Sequence, residues 1–395
     1  MKNKNSTILL YLSKIINLVV KFLIVVVITR KLDDSMLYGR YSYFLTITNY
    51  LALFFGFGFF SSIKRLMAIN GENKSKELAG VMYIINLLFS IGFALFILII
   101  SDYILEEYSY ILLLAIISSG TLLNNVVKRM QIGFKKINSM IITETSINGI
   151  ILISFLLFDL SYIGYLIIYF TTYLSINTLT YFITFRPKLV NIKKNYNTLL
   201  SEVKSYGWHV YLGRLASMGT YDLDKIMLES FSGVQYVGYY NLGLQCTTPI
   251  PTFSEALMSV FYKDLADKEK IPRKILFYNF IWLLLTSLLA ATVGGIIFLH
   301  IFGESYATTA SLFPWFAAVA FLRGLYKPFN SFFGVKGYGR FLKKVAFILT
   351  VANVVFNVLF IPLFGIRGAL LATIFALIID NVAHYYYYKK LIISL

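Results

Sequence analysis

Ionisable side chains stand where an oily sequence should have none. Six bases, Lys14, Lys21, Arg40, Arg214, Lys225 and Arg323, and five acids, Glu144, Asp222, Asp224, Glu255 and Asp380, fall within or at the edge of long apolar runs. A charge at the centre of a bilayer costs on the order of 3 kcal/mol by insertion scales, so such residues normally face protein or a wet cavity. A cavity lined by bases suits an anion. Arginine holds phosphate or diphosphate through a planar fork and lysine holds it as a point charge. The tyrosine, asparagine, serine and threonine side chains add hydroxyl and amide contacts of the kind sugars need. Acids beside the bases either neutralise them or hold a coupling cation. The stretch "YDLDKIMLESFSGVQYVGYY", residues 221–240, packs Asp222, Asp224 and Lys225 into four positions. Asp222 and Lys225, three apart, can also pair along one helix. Glu144, Glu255 and Asp380 lie close enough to the inner face to pair with bases of the inside loops. No catalytic group is predicted. His209, His300 and His384 are scattered without ligand spacing, and the single Cys246 has no partner for a disulfide or a metal motif. No metal site is expected. Asp33 and Asp34 read as a turn.

Helical geometry indicates which charges share a face. At 100° per residue, Lys14, Asn17 and Lys21 fall within about 60° of one another. Arg214, Met218, Tyr221 and Lys225 form a second stripe, flanked by Asp222 and Asp224. Lys14 and Arg40 also lie near span ends, where they can snorkel to the interface.

The elements that carry these residues are membrane spans. The chain has 395 residues, of which 58% are hydrophobic and 14% charged, against about 25% charged in a soluble domain. Its mean hydropathy is +0.72. Apolar runs of about 20 residues match the length that crosses a hydrocarbon core. They centre near residues 19, 51, 89, 117, 149 and 172, then 216, 249, 287, 318, 351 and 376. The fold class is therefore an all-α polytopic membrane protein with about twelve transmembrane helices. The basic, apolar start reads as a retained first helix, because it lacks a small-residue cleavage site. Pro249 and Pro251 should kink or break the eighth span just before Glu255.

The net charge of +17 raises nucleic acid as a partner, and its distribution argues against it. Twenty-seven of the 36 basic residues fall in the N-terminus, the C-terminus and every second loop, and only Arg30, Lys31 and Arg367 in the opposite loops. That bias places both termini in the cytoplasm and makes anionic membrane lipids the partner of the loop bases. A polar break, residues 185–207, splits the runs six and six. "YLSK" at 11–14 matches "YLGR" at 211–214, and "YGRY" at 38–41 matches "VGYY" at 237–240. Gly133 and Gly164 are spaced like Gly337 and Gly368. Nearly constant offsets indicate a parallel repeat of two pseudo-symmetric six-helix lobes. We place the lobes at residues 1–190 and 206–395, joined by a cytoplasmic linker at 191–205.

Four stretches carry a resemblance: "ITRKLDDSMLYGRYSYF" at 28–44, "GFGFFSSIKR" at 56–65, "YDLDKIMLESFSGVQYVGYYNLG" at 221–243, and the block from Gly334 to Thr373. Together they resemble Wzx-type polysaccharide flippases of the multidrug/oligosaccharidyl-lipid/polysaccharide (MOP) exporter superfamily. Asp33 departs from the pattern, which usually has glycine there. The resemblance implies a V-shaped pair of lobes that alternate between inward-open and outward-open states. It implies a lipid-linked oligosaccharide cargo on undecaprenyl diphosphate, a bacterial cytoplasmic membrane location, and polysaccharide polymerase and chain-length machinery as further partners. Lys21 and Arg214, then Lys14 and Lys225, then Arg40 and Arg323, are the candidate diphosphate contacts. Asp222, Asp224 and Glu255 are the candidates for charge balance or for coupling to an ion, H+ or Na+; no other cofactor is implied. Two other classes compete. A small-molecule exporter of the same superfamily should favour acids and aromatics over bases in its cavity. A membrane glycosyltransferase or polymerase should carry a large outer loop, and the outer loops here are short.

Overall fold

The computed structural model describes residues 2–104, 110–134, 136–218, 223–266, 268–336 and 338–393. These are helical almost throughout, with no strand among them. The helices are α1 (Lys2–Leu32), α2 (Ser35–Phe54), α3 (Phe59–Ile69), α4 (Glu72–Ile104), α5 (Ile111–Ser118), α6 (Gly120–Gly133), α7 (Ile137–Leu157), α8 (Tyr162–Thr180), α9 (Ile192–Glu202) and α10 (Trp208–Met218). There follow α11 (Leu223–Ser232), α12 (Val234–Thr247), α13 (Pro249–Ala266), α14 (Arg273–Leu289), α15 (Gly295–Phe302), α16 (Ala307–Ser311), α17 (Phe313–Leu325), α18 (Lys327–Val335) and α19 (Gly339–Ile393). Three five-residue π turns, Tyr181–Phe185, Val203–Gly207 and Ala290–Gly294, extend or join them.

Among the described residues, six helical segments are long and apolar enough to cross a membrane, or eight if each bent pair counts as one span. By length and composition these are fewer than the twelve spans expected from the sequence, a number this count does not confirm. Several apolar runs are delivered as short or bent pieces. α2 and α3 meet at 62° across Phe57 and Gly58, both at positive φ. Conversely, the segment Arg340–Leu391 runs on through 52 residues. At 1.5 Å per residue it would reach about 78 Å, far beyond a core of about 30 Å. Gly365, at φ 55 and ψ −129 three residues after Pro362, turns the chain there. A side chain at that φ would be strained, which is why glycine occupies the turn.

Local sequence explains other breaks. Asp33 sits at φ 43, and the Asp34 carboxylate accepts a hydrogen bond from the Met36 N–H at 2.7 Å. Together they end α1 and cap α2, so the acidic pair is a turn. α12 ends at Thr247 and α13 opens on Pro249, so the helix breaks ahead of Glu255. Proline is tolerated at that first position, where its missing N–H has no partner to lose.

The chain packs as two compact units. The first comprises Met1–Leu32 and Phe44–Leu215, the second Asp33–Tyr43 and Ala216–Leu395. In the first, the segment Ile111–Gly133 is the central element, with 72% of its span buried inside the protein, against 28% for Ile137–Leu157. Its neighbours present Leu157, Ile183 and Ile99 outward, as expected for faces solvated by lipid. In the second unit, the start of α2 crosses the start of α12. A Cβ on Gly39 would stand 2.4 Å from the Val234 carbonyl oxygen, and one on Gly238 would stand 2.9 Å from the Gly39 Cα. The crossing is bordered by hydrogen bonds from Gln235 to Ser35 (2.6 Å) and Tyr239 (2.8 Å), and from Asn241 to Ser42 (2.6 Å).

Candidate functional site

The stripe on α1 faces α7. Asn17 is buried and donates to Ser13 O (2.9 Å) and to Thr145 Oγ1 (3.3 Å), and its own Oδ1 accepts from Asn148 at 2.7 Å. One turn on, Lys21 Nζ lies 3.0 Å from Glu144 Oε1. The Lys21 side chain remains 51% exposed and that of Glu144 21%. At such exposure the pair is worth about 0.2–1 kcal/mol, so it positions Lys21 more than it stabilises the fold.

Lys21 and Glu144 belong to a cleft between α1, α6, α7 and α8. Asn124, Lys128 and Gln131 line it from α6, Met140, Thr143, Glu144, Ile147 and Asn148 from α7, and Tyr173 from α8. Lys128 is half-buried. Gln131 donates to Ser139 and Thr143, both at 3.1 Å, and Thr143 in turn meets Thr180 at 3.1 Å. Two ammonium groups, one carboxylate, amides and hydroxyls therefore converge inside a membrane-spanning unit. That set favours an anion with hydroxyl-bearing neighbours. Lys128 was missed by sequence reasoning, which counted it with Arg129 as an inside-loop anchor. The signal was present: Asn124, Lys128 and Gln131 recur at spacings of four and three, a polar helical stripe.

The second unit holds a different arrangement. Asp224, 1% exposed, sits in the first turn of α11. Its carboxylate accepts from Tyr240 Oη at 2.6 Å and from the Lys225 N–H at 2.8 Å. Tyr240 also meets Thr373 Oγ1 at 3.1 Å, and the Arg323 guanidinium lies within electrostatic reach of its hydroxyl. A buried carboxylate is kept by such donors, because an unmet charge there costs several kcal/mol. Glu255 is exposed and pairs with Lys327 at 2.5 Å. Arg40, Lys225 and Arg323 are half-buried. Asp222 and the side chains of Lys14 and Arg214 lie outside the described residues. Thus Lys21 joins a cation cleft, Asp224 a buried hydroxyl–carboxylate cluster, and Glu255 a surface pair. Among the described residues no three His, Cys, Asp or Glu side chains converge as metal ligands.

Two comparisons of fold give the class. A multidrug resistance MATE family transporter of the MOP superfamily, in an inward-facing conformation, superposes with a TM-score of 0.69 at 14% identity, covering 95% of each chain. The lipid II flippase MurJ, in an inward closed conformation, gives 0.73 at 13% identity, covering 98% of this chain and 89% of its own. The protein is a multi-pass helical membrane protein with the fold of the MOP-superfamily transporters.

Sequence comparison narrows this further. The profile of the family described as "Polysaccharide biosynthesis protein" matches residues 4–262, and the chain belongs to that family. A capsular polysaccharide biosynthesis protein, CapF of Staphylococcus aureus, is 22% identical over 408 residues, spanning 97% of this chain and 98% of its own. An uncharacterized membrane protein of Methanocaldococcus jannaschii is 28% identical over 208 residues, 49% of this chain and 40% of its own.

Proposed function

We propose that this protein flips an oligosaccharide carried on undecaprenyl diphosphate across the bacterial cytoplasmic membrane by alternating access, for surface polysaccharide assembly. The observation that carries this reading is the cleft holding Lys21 and Lys128 among Asn124, Gln131, Asn148, Thr143 and Tyr173, in a chain of the polysaccharide biosynthesis family. A diphosphate needs bases that stay charged inside the membrane, and a glycan needs amides and hydroxyls. The lipid tail needs neither and stays in the bilayer. In this reading Lys21 and Lys128 meet the diphosphate, with Arg214, Lys14, Lys225, Arg40 and Arg323 as further cations along its path. Asp224, with Asp222 and Glu255, is the candidate for coupling to H+ or Na+. The loop charges favour cytoplasmic termini, and polymerase and chain-length machinery would act downstream on the outer side of the membrane.

The test is genetic. Deleting the gene should trap lipid-linked oligosaccharide on the cytoplasmic leaflet and abolish surface glycan, with recovery from a plasmid copy. Normal surface glycan with no trapped pool would refute the reading. Arg214→Ala should fail to complement and Arg214→Lys should complement in part; equal tolerance of both would remove Arg214 from the path. Efflux of a lipophilic organic cation by the reconstituted protein, without movement of the lipid-linked glycan, would instead favour a small-molecule exporter.

A further inference from the structure

The second half of α19 carries two ionisable side chains that the arrangements above leave unused. Asp380 and His384 stand one helical turn apart, with side chains 1% and 4% exposed. His384 Nδ1 lies 2.9 Å from the Asp380 backbone oxygen and 3.3 Å from Asp380 Oδ1. A carbonyl oxygen only accepts, so Nδ1 carries a hydrogen. That leaves Nε2 as the nitrogen whose protonation can change. Nε2 and Asp380 Oδ2 are buried and have no hydrogen-bond partner among the described residues. The imidazole stacks on Tyr326, with centroids 4.9 Å apart, and more loosely on Phe333, at 6.1 Å.

The charged and titratable groups on the helices packed around the pair are few. Tyr326 lies between α17 and α18, with Arg323 one turn before it. Lys327 holds its Nζ 5.2 Å over the Tyr326 ring and is paired with Glu255 of α13. α18 contributes the apolar rings Phe329 and Phe333. Asp224 of α11, near Thr373, is two turns back along α19, and its carboxylate is held by Tyr240 and the Lys225 N–H. On α19 itself, Tyr388 accepts from the Ile271 N–H at 2.9 Å, and Tyr387 stacks on Phe341.

A buried acid and base in a membrane helix are expensive as mere packing, since apolar residues of similar size would cost less. Such pairs mark proton or ion paths by default. A metal fits poorly, because among the described residues only these two ligands converge and Nδ1 is already committed. We infer that Asp380 and His384 form a proton-binding site, in which Nε2 of His384 takes the proton. The proton comes from water and returns to it, and the only bond made or broken is N–H. With the carboxylate ionised, the pair passes from a net charge of −1 to 0. The imidazolium is met by the Asp380 carboxylate and by the faces of Tyr326 and Phe333. Use of this proton as the coupling ion rests on the transport reading; the binding itself does not.

The chain has three histidines, so replacing His209 and His300 by glutamine leaves His384 as the only imidazole. That protein, labelled with 15N-histidine and held in lipid nanodiscs, should be recorded at pH about 8 and about 5, the range over which imidazoles change charge. The expected result is that Nε2 passes from the unprotonated to the protonated signal while Nδ1 keeps its hydrogen, and that Asp380→Asn alters this response. An Nε2 signal in one state at both pH values would overturn the site, and this spectrum decides without Asp380→Asn. A response unchanged in a folded Asp380→Asn protein would overturn the assignment of the pair. No substrate is needed, so this result and the genetic test of flipping can fail independently.

Discussion

The Asp224–Tyr240 contact offers a quantitative test of the second unit. Asp224 is 1% exposed, and its carboxylate accepts from Tyr240 Oη at 2.6 Å and from the Lys225 N–H at 2.8 Å. Hydrogen bonds to a charged group contribute about 1.5–3 kcal/mol each. Asp224→Ala removes both and should cost about 3–5 kcal/mol. Tyr240→Phe removes the 2.6 Å bond alone, for about 1.5–3 kcal/mol. The two changes share one bond, so the double variant should cost less than the sum by about 1–3 kcal/mol. The measurement is unfolding of the purified protein in mixed micelles at rising denaturing detergent, followed by circular dichroism. Asp224→Asn, which keeps an acceptor oxygen, should fall nearer wild type than Asp224→Ala. If the two losses add to within about 0.5 kcal/mol, the sites are independent and the buried cluster is not a unit.

Three further outcomes follow from the packing and the cleft. Gly39→Ala would drive a Cβ to 2.4 Å from the Val234 oxygen, whereas Gly149→Ala meets nothing within 4 Å; the first should lower thermal stability by an overpacking cost of about 1–3 kcal/mol, the second should be neutral or stabilising, and equal melting temperatures would refute the crossing. Asn148→Leu strips Asn17 of a buried 2.7 Å donor and should destabilise by about 1–3 kcal/mol, with the loss partly recovered in the Asn17→Leu, Asn148→Leu double variant. Glu144→Gln removes the carboxylate that pairs with Lys21, so undecaprenyl diphosphate should bind more tightly to the purified protein, and Lys128→Gln should weaken it; unchanged affinity in both would take the diphosphate out of this cleft.

Much of this was legible from residue type and spacing. Composition and run length indicated a membrane-spanning helical protein, and "DD" at Asp33–Asp34 reads as the turn that it forms. The spacing of Lys14, Asn17 and Lys21 indicated a face, and α7 is what Asn17 and Lys21 meet across it. The identity of that partner was not legible, because pairing between distant helices leaves no local pattern: Lys21 and Glu144 are 123 residues apart. Lys128 was hidden for a different reason. Lysine near a span end looks the same whether it anchors in lipid headgroups or lines a cleft, and only its α6 neighbours Asn124 and Gln131 distinguish the two. The Asp380–His384 pair was within reach, since an acid and a histidine four apart on a helix share a face. The bends within the spans were least legible, because a run of apolar residues does not say where a helix turns.

The π turn at Ala290–Gly294 changes how the length of this chain is constrained. A π turn holds one residue more than the α-helical turn it replaces. Side chains beyond it are therefore rotated by about 100° from where an uninterrupted helix would put them. The faces of Gly295–Phe302 are phased by that surplus residue, not by the run before it. Removing a single residue here would close the turn into regular helix and swing Phe298 and Phe302, both buried, away from Phe313 and Tyr306. The seam is thus a place where a one-residue change in length is absorbed by the backbone and expressed as a change of neighbour.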